Sequence, residues 1–492
     1  MSTTADFEFY AELLKRQHAI EGTIAGYKAK IVDSERELEE CLEMAPIAAL
    51  SSMGQLWIFL MWRHDHSILT FPNEITSEIF LHCLPVYSDH FFAGTSRSTS
   101  DPLRAPMLLL HVCREWRSIA VSTPALWERL YLDLWNLPDG FCEADNLEQF
   151  LANWLARARA RPLSLFLEVS EDDGKQGSLC TILDRLSSRT QVLKLAYVSF
   201  WIQHYEGNTP DFPLLRNLSL ASSDEYMGNV ALEGYPIQIC SVASQLQELE
   251  LDAVAPSLFA IPWETLAVFT GRCLRYDDCV DVLRQAPSLV ECTLEETYPD
   301  SFTTGTPAVS HPHLKSLKVF GDCTIFRWLT LPALEKLEVD LDSDGMDESL
   351  LPFIIRSASS LLKLSSANLL PLESLSAMAA LTDLTLVDLF RSNEYLDEFF
   401  RHFDRTNHPR FLPQLQVLEF TGRFPLVNTI LVDALCSRSA PTQDGRARLR
   451  SFRQIWVDGT PLQFNFEQGV GLALAELAGK GMDIYIGPKR KI

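Results

Sequence analysis

Three close histidine pairs, His64 and His66, His311 and His313, His402 and His408, are the first places to look for chemistry. Two imidazoles can begin a metal site, but none of these pairs sits in a His-Glu-x-x-His or Cys-x-x-Cys frame that would supply further ligands. The 11 cysteines are odd in number and stand singly, which reads as reduced thiols filling apolar positions. Gly469-Val470-Gly471 lacks the third glycine and the preceding strand of a dinucleotide loop, and no Gly-Lys-Ser/Thr phosphate loop occurs. Asn217-Leu218-Ser219 is formally a glycosylation acceptor, but it lies inside a strand-like pattern. The residues point to no catalytic centre, no metal and no cofactor, so the expectation is a protein that is not an enzyme.

What recurs is leucine, with charge between. Leu-x-x-Leu-x-Leu or a near variant stands at Leu215-Leu218-Leu220, Leu246-Leu249-Leu251, Leu289-Cys292-Leu294, Leu314-Leu317-Val319, Leu334-Leu337-Val339, Leu381-Leu384-Leu386 and Leu415-Leu418-Phe420. Weaker copies lie at 190–195, 266–269, 361–364 and 449–452. Starts fall roughly 20 to 34 residues apart, near the range of leucine-rich repeats though less regular. Pro213, Pro287, Pro312, Pro332 and Pro413 each precede the first leucine by two residues, where a proline ends the preceding segment and sets an extended approach to a strand. One such unit cannot bury its apolar side alone, so the units are expected to stack into an irregular solenoid with a parallel concave sheet. Period-2 alternation then turns the intervening residues outward: Glu248, Glu250, Asp252, Glu291, Glu295, Lys318, Lys336, Glu338, Asp340, Asp383 and Glu419. That face is predominantly acidic, and a protein partner with a Lys/Arg-rich patch is its natural complement.

Upstream, 67–130 carries two helical patterns. Pro72 has its φ preset for a helix start, Glu74 and Glu78 suit the positive end, and Ile75, Ile79, Phe80 and Leu84 recur at helical spacing before Pro85. A second helix places Leu109, Val112, Cys113, Trp116, Ile119 and Ala120 on one side and Arg114, Glu115 and Arg117 on the other, until Pro124 breaks it. By periodicity these are two amphipathic helices of a small bundle. Their order is more specific: Leu69, Pro72, Glu74, Ile75, Ile79 and Phe80, then Val112-Cys113-Arg114-x-Trp116, then Thr123-Pro124-x-Leu126-Trp127. This succession resembles the F-box of the large fungal F-box families that carry leucine-rich repeats behind it. Phe71 stands where those families usually have leucine, and a polar insert at 86–104 lengthens the connection between the helices, which costs little. The resemblance implies docking on the Skp adaptor and, through it, on a cullin-RING ubiquitin ligase, with the repeats presenting a target protein. It also implies that the named residues form the domain's fold or its adaptor contact; apolar character alone does not separate those roles. The alternative is a repeat scaffold whose F-box-like helices only cap the solenoid.

The 492 residues, 47% hydrophobic and 10% aromatic, suit a globular α+β and α/β repeat chain. With 65 acidic against 42 basic residues, a formal charge of −23, neither nucleic acid nor an anionic membrane is an expected partner. The expected organisation is an amphipathic heptad-like helix at 1–47, an irregular apolar insert at 48–66, the F-box-like domain at 67–130, transition strands and a helix at 131–188, the repeat array at 189–458, and a cap with a basic tail at 459–492. The helix at 1–47 fits packing on its own domain better than a dimeric coiled coil, since Gln17, Ser34, Gly22 and Gly26 weaken its seam. The arginine run at 157–161 reads as a solvated helix end. No secretory signal or spanning segment is visible, so a cytoplasmic or nuclear location is expected.

Overall fold

The computed structural model describes residues 71–84, 105–133, 144–168, 182–196, 211–222, 243–298, 308–341, 346–367, 370–387, 393–422, 428–439, 447–456 and 469–488. The readings at 1–70, including Leu69, His64 and His66, and the insert at 86–104 lie outside these residues. The chain divides into two compact units, Met1–Thr76 and Ser77–Ile492. Of the first, residues 71–76 are described; they open helix α1, Asn73–His82. Pro72 caps α1, its carbonyl accepting the N–H groups of Ile75 (3.0 Å) and Thr76 (3.1 Å).

The second unit is built on a 14-stranded sheet in which every neighbouring pair is parallel and strand order follows chain order. The strands are β1 Arg129–Asp133, β2 Leu163–Glu168, β3 Thr190–Ala196, β4 Asn217–Ala221, β5 Glu248–Asp252, β6 Val268–Arg272, β7 Glu291–Thr297, β8 Ser316–Gly321, β9 Lys336–Leu341, β10 Lys363–Ser366, β11 Asp383–Leu386, β12 Val417–Gly422, β13 Ser451–Trp456 and β14 Asp483–Pro488. Among the described residues the sheet is open, with β1 and β14 as its two edges. It therefore includes the transition segment and the C-terminal cap that the leucine pattern sets apart.

Register explains why this sequence makes this sheet. Leu130, Leu165, Leu193, Leu218, Leu249, Phe269, Cys292, Leu317, Leu337, Leu364, Leu384, Leu418, Phe452 and Ile484 align strand by strand. All but Ile484 are at most 2% exposed. A one-residue slip in any strand would turn its leucines to water, so the alternation fixes the register. Each buried Leu or Phe contributes about 1.5–3 kcal/mol.

The prolines ahead of the strands work differently from the sequence expectation. Phe212 accepts from the N–H of Leu215 (3.2 Å), Ala286 from Leu289 (3.2 Å), Leu331 from Leu334 (3.2 Å) and Leu412 from Leu415 (3.3 Å). Pro213, Pro287, Pro332 and Pro413 are thus the second residues of tight turns, the place where a preset φ suits a β-turn. At Pro312 the turn is closed by a side chain: His311 Nδ1 accepts the N–H of Leu314 (3.0 Å).

The core lies on one side of the sheet, with helices that precede β1 or lie between later strands. They include α2 Leu109–Val112, α3 Arg114–Ser122, α4 Ala144–Ala158, α5 Tyr276–Gln285, α6 Met346–Ser357, α7 Leu372–Ala377, α8 Asn393–Phe403, α9 Thr429–Ser439 and α10 Val470–Gly479. The expected single second helix of the 67–130 stretch is two. Cys113, extended at φ −156°, separates α2 from α3, and its Sγ accepts the N–H of Trp116 (3.4 Å) as the cap of α3.

Candidate docking surfaces

Within the second unit, the residues of the 67–130 stretch divide by depth. Phe80, Leu126 and Trp127 are fully buried and Ile119 nearly so. Trp116 is half-buried with its ring 4.8 Å from that of Phe80, and Leu84 and Ile79 are also half-buried. Trp127 follows Pro124, the first residue of the 3-10 turn Pro124–Trp127. Its Nε1–H donates to the Ala120 carbonyl (2.9 Å), and Trp154 of α4 returns a bond from Nε1–H to the Trp127 carbonyl (2.8 Å), the two rings meeting edge to face at 4.9 Å. Arg157 lies 4.4 Å above the Trp127 ring, and burial pulls its pKa down. It is a cation–π partner rather than part of a solvated helix end.

Val112 and Val121 are 51% and 40% exposed. In the first unit, Ile75 is 49% exposed, and Pro72 and Glu74 are also exposed. The sequence leaves Ile75 and Val112 open between the fold and a partner contact; the structure leaves about half of each apolar side chain in water, where each would prefer a partner.

The other surface is the sheet face opposite the core. Register places all the outward residues named from the sequence on this one face, in columns. Much of the acid there is already matched. Arg272 of β6 spans its two neighbours, donating from Nη1 to Glu250 of β5 (2.5 Å) and from Nε to Glu295 of β7 (2.6 Å). Lys194 of β3 adds a contact to Glu250 at 3.5 Å. Lys318 of β8 and Lys336 of β9 reach Glu338 at 3.3 and 4.0 Å, and Lys363 reaches Asp383 at 3.9 Å. Glu248 accepts from the Asn217 amide, which puts the sequon asparagine within a strand-to-strand pair. Among the described residues Glu291 and Glu419 make no ion pair, and Glu291 and Asp340 are exposed. Asp252 sits between these effects: burial raises its pKa, Arg272 opposes the rise, and Glu250, Glu295 and Glu296 add to it.

Arg272, absent from the sequence reading, organises this region. Its signal was visible: register puts it in the outward column between Asp252 and Glu295. The residues just past Asp252, Arg272 and Glu295, namely Ala253, Cys273 and Glu296, all have positive φ (55°, 49° and 51°), an unusual setting for side-chain-bearing residues. Burial, Asp252 and Glu296 push the Cys273 thiol up to about 11, so it is a poor nucleophile.

The histidine pairs resolve into separate cases. His311 is 2% exposed and uses both ring nitrogens, Nδ1 as acceptor and Nε2 as donor to the Ala286 carbonyl (3.0 Å), a neutral structural tautomer. His402 and His408 stack at 4.3 Å. Among the described residues no group of three or more His, Cys, Asp or Glu is placed to hold a metal, and no helix is long and apolar enough to cross a membrane. Gly469, at φ 114°, starts α10.

No protein-family model matches this chain, and no curated protein sequence matches it.

Proposed function

We propose that the chain is a substrate-receptor subunit of an SCF-type cullin-RING ubiquitin ligase. In this reading the 67–130 stretch docks on a Skp adaptor, and a leucine-rich-repeat array presents a protein target on the outward, concave face of its sheet. Catalysis would be positional and supplied by partners. One observation carries the reading: within the motif that resembles an F-box, Phe80, Trp116, Leu126 and Trp127 support the fold, while Ile75 and Val112 keep about half their surface in water. Exposed apolar residues on short helices suit a protein partner better than water. The target site rests on Glu291 and Glu419, which make no ion pair among the described residues, more than on Glu250 or Glu338. A target with a Lys/Arg patch fits them, and the compartment is cytoplasmic or nuclear.

The scaffold reading also has an observation behind it. Trp127 and Phe80 belong to the same continuous core as the strands, and Trp127 is locked to Trp154, as an N-terminal cap would be. The two readings part in co-purification with a Skp adaptor. Val112→Glu should abolish the complex at unchanged thermal stability, whereas Trp127→Ala should lose complex and stability together. Absence of a complex with folded wild-type protein would sink the receptor reading. For any target captured through the complex, Glu291→Lys with Glu419→Lys should weaken binding.

A further inference from the structure

We infer that the open edge of β14 is an interface between two copies of this chain, paired antiparallel about a two-fold axis through Tyr485. Among the described residues β14 has β13 on one side and no strand on the other. The Asp483 N–H donates to the Arg450 carbonyl (2.8 Å), so by the alternation of a ladder the backbone groups of Ile484 and Ile486 point to the unpaired side.

Among the described residues the core is less complete at this end of the sheet than at the other. At the other edge Leu130 and Leu132 of β1 are fully buried. Ile484 and Ile486, in the same two columns, are only partly covered, and Ala475 and Ala478 of α10 are exposed. A terminal repeat normally closes its array with a polar outer side, and this one does not.

The strand's own sequence favours a second copy as occupant. With Tyr485 opposite its symmetry mate, Ile484 of one chain faces Ile486 of the other twice over, so every outward amide finds a carbonyl and the isoleucines extend the core columns. Pro488, which has no N–H, falls outside these bonded pairs. Such an isologous contact closes as a dimer rather than growing into a filament.

The test is sedimentation of the full chain across a concentration range, expecting a species of twice 55.6 kDa. Ile486→Pro removes one outward donor per chain without touching a bond to β13, and should raise the dimer Kd at least about tenfold. Ile484→Pro removes the other outward donor and should weaken the dimer likewise; both variants are checked for wild-type melting. A wild-type chain that stays monomeric throughout overturns the proposal, as does a dimer indifferent to both folded variants.

Discussion

Arg438 shows most clearly what single residues do in this chain. It is fully buried on α9, and its guanidinium donates to the carbonyls of Phe403 (2.7 Å), Leu412 (2.8 Å) and Phe411 (2.6 Å) while lying 4.3 Å from the Phe403 ring. Arg356 does the same for the Leu329 carbonyl (2.9 Å), and Arg189 for that of Arg161 (2.7 Å). The carbonyls of connecting turns have no strand to pair with, and a planar five-donor group on the next unit satisfies several at once. Replacing Arg438 with Met leaves up to three buried carbonyls unpaired, so stability should fall by about 2–4 kcal/mol in denaturant melts, and Lys should not rescue it. A loss below about 1 kcal/mol would show that water replaces the guanidinium. No sequence pattern marks Arg438, because a lone arginine on a helix usually reads as a solvated one.

At the scale of elements, the leucine columns were legible because burial and register both have period two, which a sequence displays directly. The exceptions were not, because they depend on neighbours that are not adjacent in sequence. β6 breaks the pattern with Gly271 where most other strands carry an apolar residue. A Cβ built there lies 2.7 Å from Leu274 Cδ1 and 3.0 Å from the Phe269 ring. Those two side chains already fill the space, so restoring the consensus with Gly271→Leu should cost about 1–3 kcal/mol by overpacking. A melting temperature equal to wild type would mean that Leu274 swings aside at no cost. The second helix of the 67–130 stretch was misread for a related reason. Its apolar spacing continues through Cys113, but the Cys113 thiol caps a new helix, and hydrophobic periodicity does not register a cap.

At the largest scale, that of the second unit, parallel strands in chain order make a nearly one-dimensional stack, in which each repeat is held mainly by the repeats beside it. Stability should then depend on distance from an end and on how that end is closed. The β1 end is closed by Trp127, Trp154 and fully buried leucines, while the β14 end leaves Ile484 and Ile486 partly in water. Amide exchange should therefore be slowest for central residues such as Leu337 and Val339, remain slow at Leu130 and Leu132, and be fastest along β13 and β14, where opening requires the loss of only one interface. This gradient is expected in dilute protein. Raising the concentration should slow exchange at Ile484 and Ile486 more than at Tyr485, because their N–H groups face the unpaired side. Uniform protection across all the strands would mean that the sheet opens as a single cooperative block whose ends make no difference.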